Sequence, residues 1–202
     1  MKTSIERPLS VLDAIFARRS IRSFTPAVLD RATIRALLDA AVQAPTAMHL
    51  EPWAFVVVQD RAALKRYSDL AKGSWAAEAA KYRDLHPQLG ETERAFEDRF
   101  ASPDFCIFYD ASTLIAICAK PLGPFVTADC WLAAENLMLA ATALGLGSCC
   151  IGSAVPVLNT PAIKQELSIP ADVDVVVPLV VGASRETVNP VSRREPQVLS
   201  WQ

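Results

Sequence analysis

The segment that most constrains the fold of this chain is a long helix that is apolar on almost every side. Residues 127–144 place alanine, leucine and methionine around most of the helical circumference, and Gly145 and Gly147 end the helix. A helix of this kind is stable only where neighbouring elements cover it. The sequence therefore predicts that this helix lies at the centre of the molecule.

Four apolar runs predict the sheet on which this helix packs, at residues 53–58, 113–119, 148–151 and 173–181. Ser10 and Asp30 are predicted to cap two amphipathic helices, and Thr160 with Pro161 is predicted to cap and begin another. Strands separated by helices predict one domain, residues 1–202, whose sheet is covered by helices on both faces. The strand–helix–strand pattern is too irregular to require an all-parallel sheet.

Two segments fit such a core less well. Residues 61–101 have an uneven helical pattern with a break near His86, and they predict a peripheral helical lid inserted in the domain. Residues 183–202 are polar and proline-rich, and they predict an extended C-terminal tail. Leu199 and Trp201 in this tail have little to hold them on their own chain, so we expect the tail to pack on a partner subunit.

Composition argues against several classes of protein. Twenty basic and twenty-two acidic residues leave a net charge of −2, so no global charge favours nucleic acid or a membrane surface as partner. The first twenty residues lack the apolar core of a signal peptide, and no run approaches the ~18 apolar residues of a spanning helix. Five cysteines without a CxxC pair, and two histidines, argue against a disulfide framework and a metal site. We expect a soluble, reduced, cytoplasmic protein.

A basic cluster near the N-terminus is the first candidate for chemistry. Arg18, Arg19, Ser20 and Arg22 follow an amphipathic helix, and their guanidinium and hydroxyl groups could bind a phosphate. Alternatively, these arginines only complement the carbonyl end of that helix. The pair 193–194, also Arg-Arg, reads by itself as solvated surface.

Two further segments could face a ligand. The polar loop 44–53 enters a predicted strand and could present groups to a flat molecule, although it could equally be a helix end followed by a core tryptophan. The glycine-rich segment 144–153 follows a helix and enters a strand, which is the reverse of a dinucleotide-binding fingerprint. Its Cys149 and Cys150 could support thiol chemistry or simply fill space as small buried side chains.

Taken together and in this order, four segments resemble the FMN-dependent nitroreductase family of NAD(P)H:flavin-type oxidoreductases. They are RRSIRSF at 18–24, APTAMHLEPWAFVVV at 44–58, AAENLMLAATALGLGSCCIG at 133–152 and PVSRREPQVLSW at 190–201. The resemblance implies an α+β fold of three α/β/α layers around a mixed, largely antiparallel sheet. It also implies a homodimer with FMN bound at each subunit interface and a tail that extends onto the partner.

The resemblance implies cofactor-binding roles for residues of all four segments. They are Arg18, Arg19, Ser20, Arg22, Pro45, Thr46, Ala47, His49, Cys150, Ile151, Gly152, Arg193 and Arg194. The first three residues, with the tail arginines, would hold the phosphate and ribityl chain. Arg22 would stabilise negative charge at the N1–O2 edge of the ring. The loop would reach the partner's flavin, and the amides at 150–152 would approach N5 and O4.

The activity implied is ping-pong electron transfer from NAD(P)H through FMN to a nitroaromatic or a quinone. The flavin carries this chemistry, so no catalytic side chain is implied. Candidate substrate contacts are Trp75, Glu78, Tyr82 and Phe125. Two alternatives are a flavin store or sensor without turnover and a thiol-redox protein that uses Cys149 and Cys150.

The loop HLEPW at 49–53 is similar instead to the halotyrosine deiodinase branch of the family. Glu78 and Tyr82 have the spacing of that branch's substrate-binding pair, but no lysine lies between Lys81 and Lys120. The segment GLGSCCIG at 145–152 resembles the ordinary nitroreductases. Reductive dehalogenation therefore stands as an alternative function.

Overall fold

A computed structural model describes residues 9–85, 98–186 and 191–202, with residues 76–85 described as backbone only. Its sheet has four strands: β1 (Trp53–Val58), β2 (Thr113–Ala119), β3 (Gly147–Cys150) and β4 (Asp174–Gly182). They lie in the order β1-β2-β4-β3, and every neighbouring pair is antiparallel. Each strand lies within one residue of its predicted bounds. A single parallel bridge, Ser20 to Ser148, makes the pairing mixed.

Around the sheet, the described residues form the helices α1 (Val11–Ala17), α2 (Arg31–Ala41), α3 (Arg61–Leu85), α4 (Val126–Ala143), α5 (Val155–Leu158) and α6 (Pro161–Glu166). Side chains along a strand alternate between the two faces of a sheet. Leu114 and Ala116 of β2 accordingly belong to a core with α3, α5 and α6, while Ile115 and Ile117 belong to a core with α2 and α4. The predicted three-layer α+β architecture is confirmed.

Helix α4 occupies the central position that its apolar sequence predicts. Ala133, Leu137 and Ala141 are fully buried against the sheet and α2. On its outer side, however, Trp131 and Leu132 are each 46% exposed. Helix α1 also packs on α4, and Ala14 is the buried residue of α1.

Two of the three predicted helix caps are confirmed. The Ser10 hydroxyl accepts a hydrogen bond from the Asp13 amide at 3.2 Å, and the Asp30 carboxylate accepts one from the Thr33 amide at 2.7 Å. Thr160 stands at the N-cap position of α6 as predicted, but its hydroxyl makes no capping hydrogen bond and instead donates to the Val157 carbonyl at 2.8 Å, near the end of the preceding helix. Pro161 does stand in the first turn of α6.

The predicted lid is only partly peripheral. Leu64, Tyr67 and Ala71 in the first half of α3 are buried in the core, so the expectation of a poorly packed segment is wrong there. The Tyr67 hydroxyl donates to the Glu166 carboxylate at 2.6 Å and thereby joins α3 to α6. Residues 86–97 of the predicted lid lie outside the described residues.

The start of the predicted tail is anchored and its end is exposed. Ala183 and Arg185 exchange backbone hydrogen bonds with Thr25 and Ser23. Residues 191–202 have no secondary structure, and Leu199 and Trp201 are each 90% exposed. Among the described helices, none combines the length and the apolar character that a membrane span requires.

Candidate functional site

The basic segment runs along the edge of the sheet beside β3. The Ile21 amide donates to the Ser148 carbonyl at 3.0 Å, and Ser20 bridges to Ser148. This close approach depends on Gly147, because a Cβ added there would lie 2.7–2.8 Å from three side-chain atoms of Ile21. A glycine in β3 therefore fixes the position of the basic cluster.

The three arginines of this segment have different environments. Arg18 Nε lies 3.4 Å from the Glu135 carboxylate on α4. Arg19 Nη1 donates to the carbonyls of Phe16 and Arg18, which is the role that the alternative interpretation gave to the cluster. Arg22 extends over the Tyr109 ring, with its guanidinium carbon 6.0 Å from the ring centroid. Arg22 faces a cavity.

That cavity, which we term the aromatic cavity, has a volume of about 390 Å³. Its lining includes Arg22, Trp75, Phe100, Tyr109, Ile151 and Gly152. Cys150 also lines it. The structure thus brings together five residues that the sequence analysis assigned to a flavin or substrate site: Arg22, Trp75, Cys150, Ile151 and Gly152.

The backbone wall of the aromatic cavity can receive a flat, polar ligand. A Cβ added at Gly152 would meet no atom within 4 Å, so the space above this residue is open. The amides of Gly152 and Ser153 begin a 3-10 turn and donate to no carbonyl in the part of the chain that is described. The buried Ser148 hydroxyl and the buried Arg19 Nε also have no hydrogen-bond partner among the described residues. These unused donors fit a ligand that carries acceptor atoms.

The two adjacent thiols are poorly suited to nucleophilic or redox chemistry. Burial raises the pKa of Cys150 to about 11. Burial also raises the pKa of Cys149, although the guanidiniums of Arg22 and Arg18 and the Ser20 hydroxyl oppose it. Because the thiolate is the reactive form, both side chains are protonated and unreactive near neutral pH. The structure favours their role as small buried side chains.

We expect Cys150 to be alkylated slowly in the folded protein. At pH 8 its thiolate fraction is about 100-fold below that of a thiol with pKa 9. A more basic thiolate is a stronger nucleophile, which offsets part of this lower thiolate fraction. We therefore expect iodoacetamide to alkylate Cys150 about tenfold more slowly than a thiol with pKa 9. Mass spectrometry of the Cys150 peptide, with urea-unfolded protein as the control, measures the rate. A folded-state rate that stops rising with pH by pH 9 would contradict the raised pKa.

The predicted flavin-binding loop lies elsewhere on the chain. The Ala47 amide donates to the Asp129 carboxylate of α4 at 3.2 Å, and Asp129 is only 4% exposed. Met48, His49 and Glu51 all have positive φ, which non-glycine residues rarely adopt. Pro45, Thr46, Ala47 and His49 are not among the described residues that line the aromatic cavity.

Phe125, Arg193 and Arg194 are not among the described residues that line the aromatic cavity. Phe125 is exposed at the N-terminal end of α4, and Arg193 and Arg194 are exposed in the tail. The side chains of Glu78 and Tyr82 lie outside the described part of the structure. Within the described ranges, no group of histidine, cysteine or acidic residues could hold a metal ion.

The sequence analysis named Trp75 but missed the aromatic rings that continue from it, Phe100, Phe105 and Tyr109. Trp75, Phe100, Phe105 and Tyr109 follow one another with ring centroids 5.6–5.7 Å apart. Tyr109 and Asp110 also have positive φ, a strained conformation that is enriched at functional sites. The signal was present as four aromatic residues within ten positions, 100–109, a segment without a clear helix or strand period.

Comparisons with known proteins agree on one family. Residues 15–183 match the model of the Nitroreductase family. A protein from Archaeoglobus fulgidus that carries the name NADH dehydrogenase/NAD(P)H nitroreductase is 30% identical to this chain over 167 residues. The aligned residues cover 80% of this chain and 78% of the Archaeoglobus protein. A crystal structure of a nitroreductase with bound FMN from Bacteroides fragilis is 26% identical, with a TM-score of 0.75 over 96% of this chain and 98% of its own.

A deiodinase also shares the fold. The structure of oxidized iodotyrosine deiodinase bound to FMN and 3-iodo-L-tyrosine has a TM-score of 0.71 and covers 94% of this chain and 97% of its own. At 21% identity, this likeness concerns the fold alone.

Proposed function

This chain belongs to the nitroreductase family, and on that basis we propose that it binds FMN at the aromatic cavity and acts as an NAD(P)H-dependent oxidoreductase. The observation that carries the proposal is the position of Arg22 opposite the open backbone at Gly152 in one cavity. A cation and free amides around an apolar, aromatic-walled space suit a planar ring with polar edges.

Bound FMN would supply the redox chemistry, taking a hydride from NAD(P)H and then reducing an electron-poor acceptor such as a nitroaromatic or quinone in a ping-pong sequence. The chain's own residues would bind the FMN and tune its reactivity. The Arg22 guanidinium would offset negative charge at the ring edge, and the amides of Gly152 and Ser153 would donate to ring acceptors. Trp75 and Phe100 would exclude water and orient the acceptor. This division of roles requires no catalytic acid or base from the protein.

The phosphate and ribityl chain would lie toward Arg18, Arg19 and Ser20. Arg19 Nε, buried without a partner among the described residues, supports this assignment, as does the location of Ser20 beside β3. Arg18 forms an ion pair with Glu135 through its Nε, and its other guanidinium nitrogens could still donate to a phosphate oxygen. Arg193 and Arg194 would complete the phosphate site from the tail.

We further propose that the working form is a homodimer. An apolar surface remains exposed on α1, α4 and the tail, formed by Val11, Leu12, Ile15, Phe16, Trp131, Leu132, Leu199 and Trp201. Exposed apolar surface of this extent is typical of an interface. A partner would also bring its loop 45–49 to this chain's flavin, which explains why that loop lies away from the aromatic cavity of its own subunit. The free state of all five thiols supports a reducing, cytoplasmic setting.

Removal of residues 191–202 should weaken the dimer and release flavin together. The truncation removes both the apolar Leu199 and Trp201 and the two tail arginines. The matched variant Arg193→Gln/Arg194→Gln keeps the apolar residues, so we expect it to stay dimeric while it loses flavin on dilution. Analytical ultracentrifugation with flavin absorbance measures both properties. A truncated protein that stays dimeric and keeps its flavin would contradict the proposed role of the tail.

The function itself is tested by an absorbance spectrum of the purified, FMN-loaded protein before and after anaerobic addition of NADPH and then NADH. Bleaching of the flavin bands by either nucleotide, and recovery on addition of a quinone, would support the oxidoreductase. Stable binding of FMN with bands that neither nucleotide bleaches would support the alternative of a flavin store or sensor. A protein that does not retain added FMN would overturn the proposal.

A further inference from the structure

A second cavity adjoins the aromatic cavity. It has a volume of about 200 Å³, and we term it the arginine cavity. Its lining includes Arg22, Arg99, Asp104, Tyr109, Asp110 and Arg185. Arg22 and Tyr109 line both cavities. A molecule in the aromatic cavity could therefore extend a substituent into the arginine cavity.

The charged groups of the arginine cavity favour an anion. Three guanidiniums face two carboxylates, which leaves a net positive charge. None of the ion pairs found among the described residues joins Arg22, Arg99 or Arg185 to a carboxylate. Within the described residues, the guanidiniums of Arg22 and Arg99 and the terminal nitrogens of Arg185 therefore have no carboxylate partner and can bind an anionic group.

Contacts with aromatic rings and backbone orient these arginines. The Arg99 guanidinium lies 4.7 Å from the Phe105 centroid and 5.6 Å from the Tyr109 centroid. The Nε of Arg185 donates to the Phe24 carbonyl, which leaves its terminal nitrogens unused. Because these contacts already hold the guanidiniums in place, the arginine side chains lose little conformational entropy when a ligand binds.

From this geometry we propose that the arginine cavity binds the carboxylate of the electron acceptor, so that the acceptor is an aromatic acid. Its ring would lie in the aromatic cavity, and its carboxylate would accept hydrogen bonds from Arg99 and Arg185. A planar carboxylate matches the forked donors of a guanidinium. This inference rests on the proposed function, because it names the class of molecule that the reduced enzyme would use.

The test compares two acceptors of equal shape, 4-nitrobenzoate and 4-nitrobenzamide, with FMN-loaded enzyme and saturating NAD(P)H. We expect kcat/KM to favour the acid by about tenfold or more, since one charged hydrogen-bonded pair separates the two acceptors. Arg99→Gln should remove this preference without changing kcat/KM for the amide. The control Arg35→Gln removes an equally positive side chain that is paired with Asp39 outside the cavity, and it should keep the preference.

Binding provides a readout that does not depend on turnover. The Kd values of 4-aminobenzoate and 4-aminobenzamide for the oxidised, FMN-loaded protein follow from changes in its flavin absorbance. Arg99→Gln should weaken binding of the acid about tenfold and leave that of the amide unchanged. This comparison remains valid even if NAD(P)H does not reduce the protein, which would overturn the proposed function alone.

Two outcomes overturn the inference while leaving the proposed function intact. The first is a wild-type enzyme that NAD(P)H reduces but that treats the acid and the amide alike in both assays. The second is an Arg99→Gln variant that keeps the preference for the acid but loses a preference for NADPH over NADH. The arginines would then bind the phosphate of the donor instead of the carboxylate of the acceptor.

Discussion

Gly147→Ala is expected to displace the basic segment from the sheet edge and to cost the protein its flavin. The added Cβ would lie 2.7–2.8 Å from Ile21 side-chain atoms that include the Cβ of that residue, so the Ile21 backbone must move. Overpacking of this kind destabilises a protein by about 1–3 kcal/mol. Because Ile21 lies between Ser20 and Arg22, its displacement would disturb the phosphate contacts and the guanidinium at the cavity together. Thermal unfolding and flavin retention on gel filtration measure the two effects.

A second glycine provides the matched control. Gly73 lies on an exposed part of α3, and a Cβ there would meet no atom within 4 Å. Gly73→Ala should therefore stabilise the protein by about 0.5–1 kcal/mol, as an alanine does within a helix. The double variant Gly147→Ala/Ile21→Ala should lose less stability than the sum of the two single variants, because the two substitutions share one contact. If Gly147→Ala unfolds at the wild-type temperature with its flavin retained, this contact does not position the basic segment.

Lys72→Met is expected to loosen the segment that forms one wall of both cavities. The Lys72 ammonium donates to the carbonyls of Ser102, Pro103 and Phe105 at 3.1, 3.3 and 2.8 Å. Its side chain is only 12% exposed, so the methionine would replace it without a large cavity while leaving these carbonyls without their donor. The loss should be about 2–3 kcal/mol, as for hydrogen bonds to a charged group. Urea unfolding measures this loss.

The local consequence is measurable by hydrogen exchange. The Phe105 and Tyr109 amides donate to the carbonyls of Ser102 and Cys106, and we expect both amides to exchange faster in Lys72→Met. Lys65→Met, on the same helix, removes an exposed ion pair with Asp69 and should leave the urea midpoint and this exchange unchanged. Equal effects of the two substitutions would show that the three carbonyls do not depend on Lys72.

The elements that were predicted correctly are those whose signal is local. The strands at 53–58 and 113–119 and the helix α4 follow from continuous apolar runs, because burial of a whole segment leaves its mark on every residue. Thr160 stands at its predicted N-cap position, but its hydroxyl bonds to the preceding helix instead, because a hydroxyl can serve either of two adjacent helices and the sequence does not distinguish them.

The candidate site was predicted in part for a similar reason. Arg22, Ile151 and Gly152 lie in segments that resemble the family, and they meet in the aromatic cavity. Arg99 and Arg185 were missed because they come from distant parts of the chain and carry no shared motif. Their proximity depends on the pairing of residues 183–185 with 23–25 and on the turn at 106–109, which are tertiary features.

Helix α4 sets a fixed register between two parts of the surface. Asp129 accepts a hydrogen bond from the Ala47 amide, in the loop that would contact the partner's flavin. Glu135 forms an ion pair with Arg18, which would bind the flavin of its own chain. The two carboxylates are separated by six residues, which is about 9 Å along a helix. One inserted or deleted residue between them would rotate one carboxylate by about 100° relative to the other and break one of the two contacts. As the sequence diverges, length changes in α4 should therefore be confined to its ends.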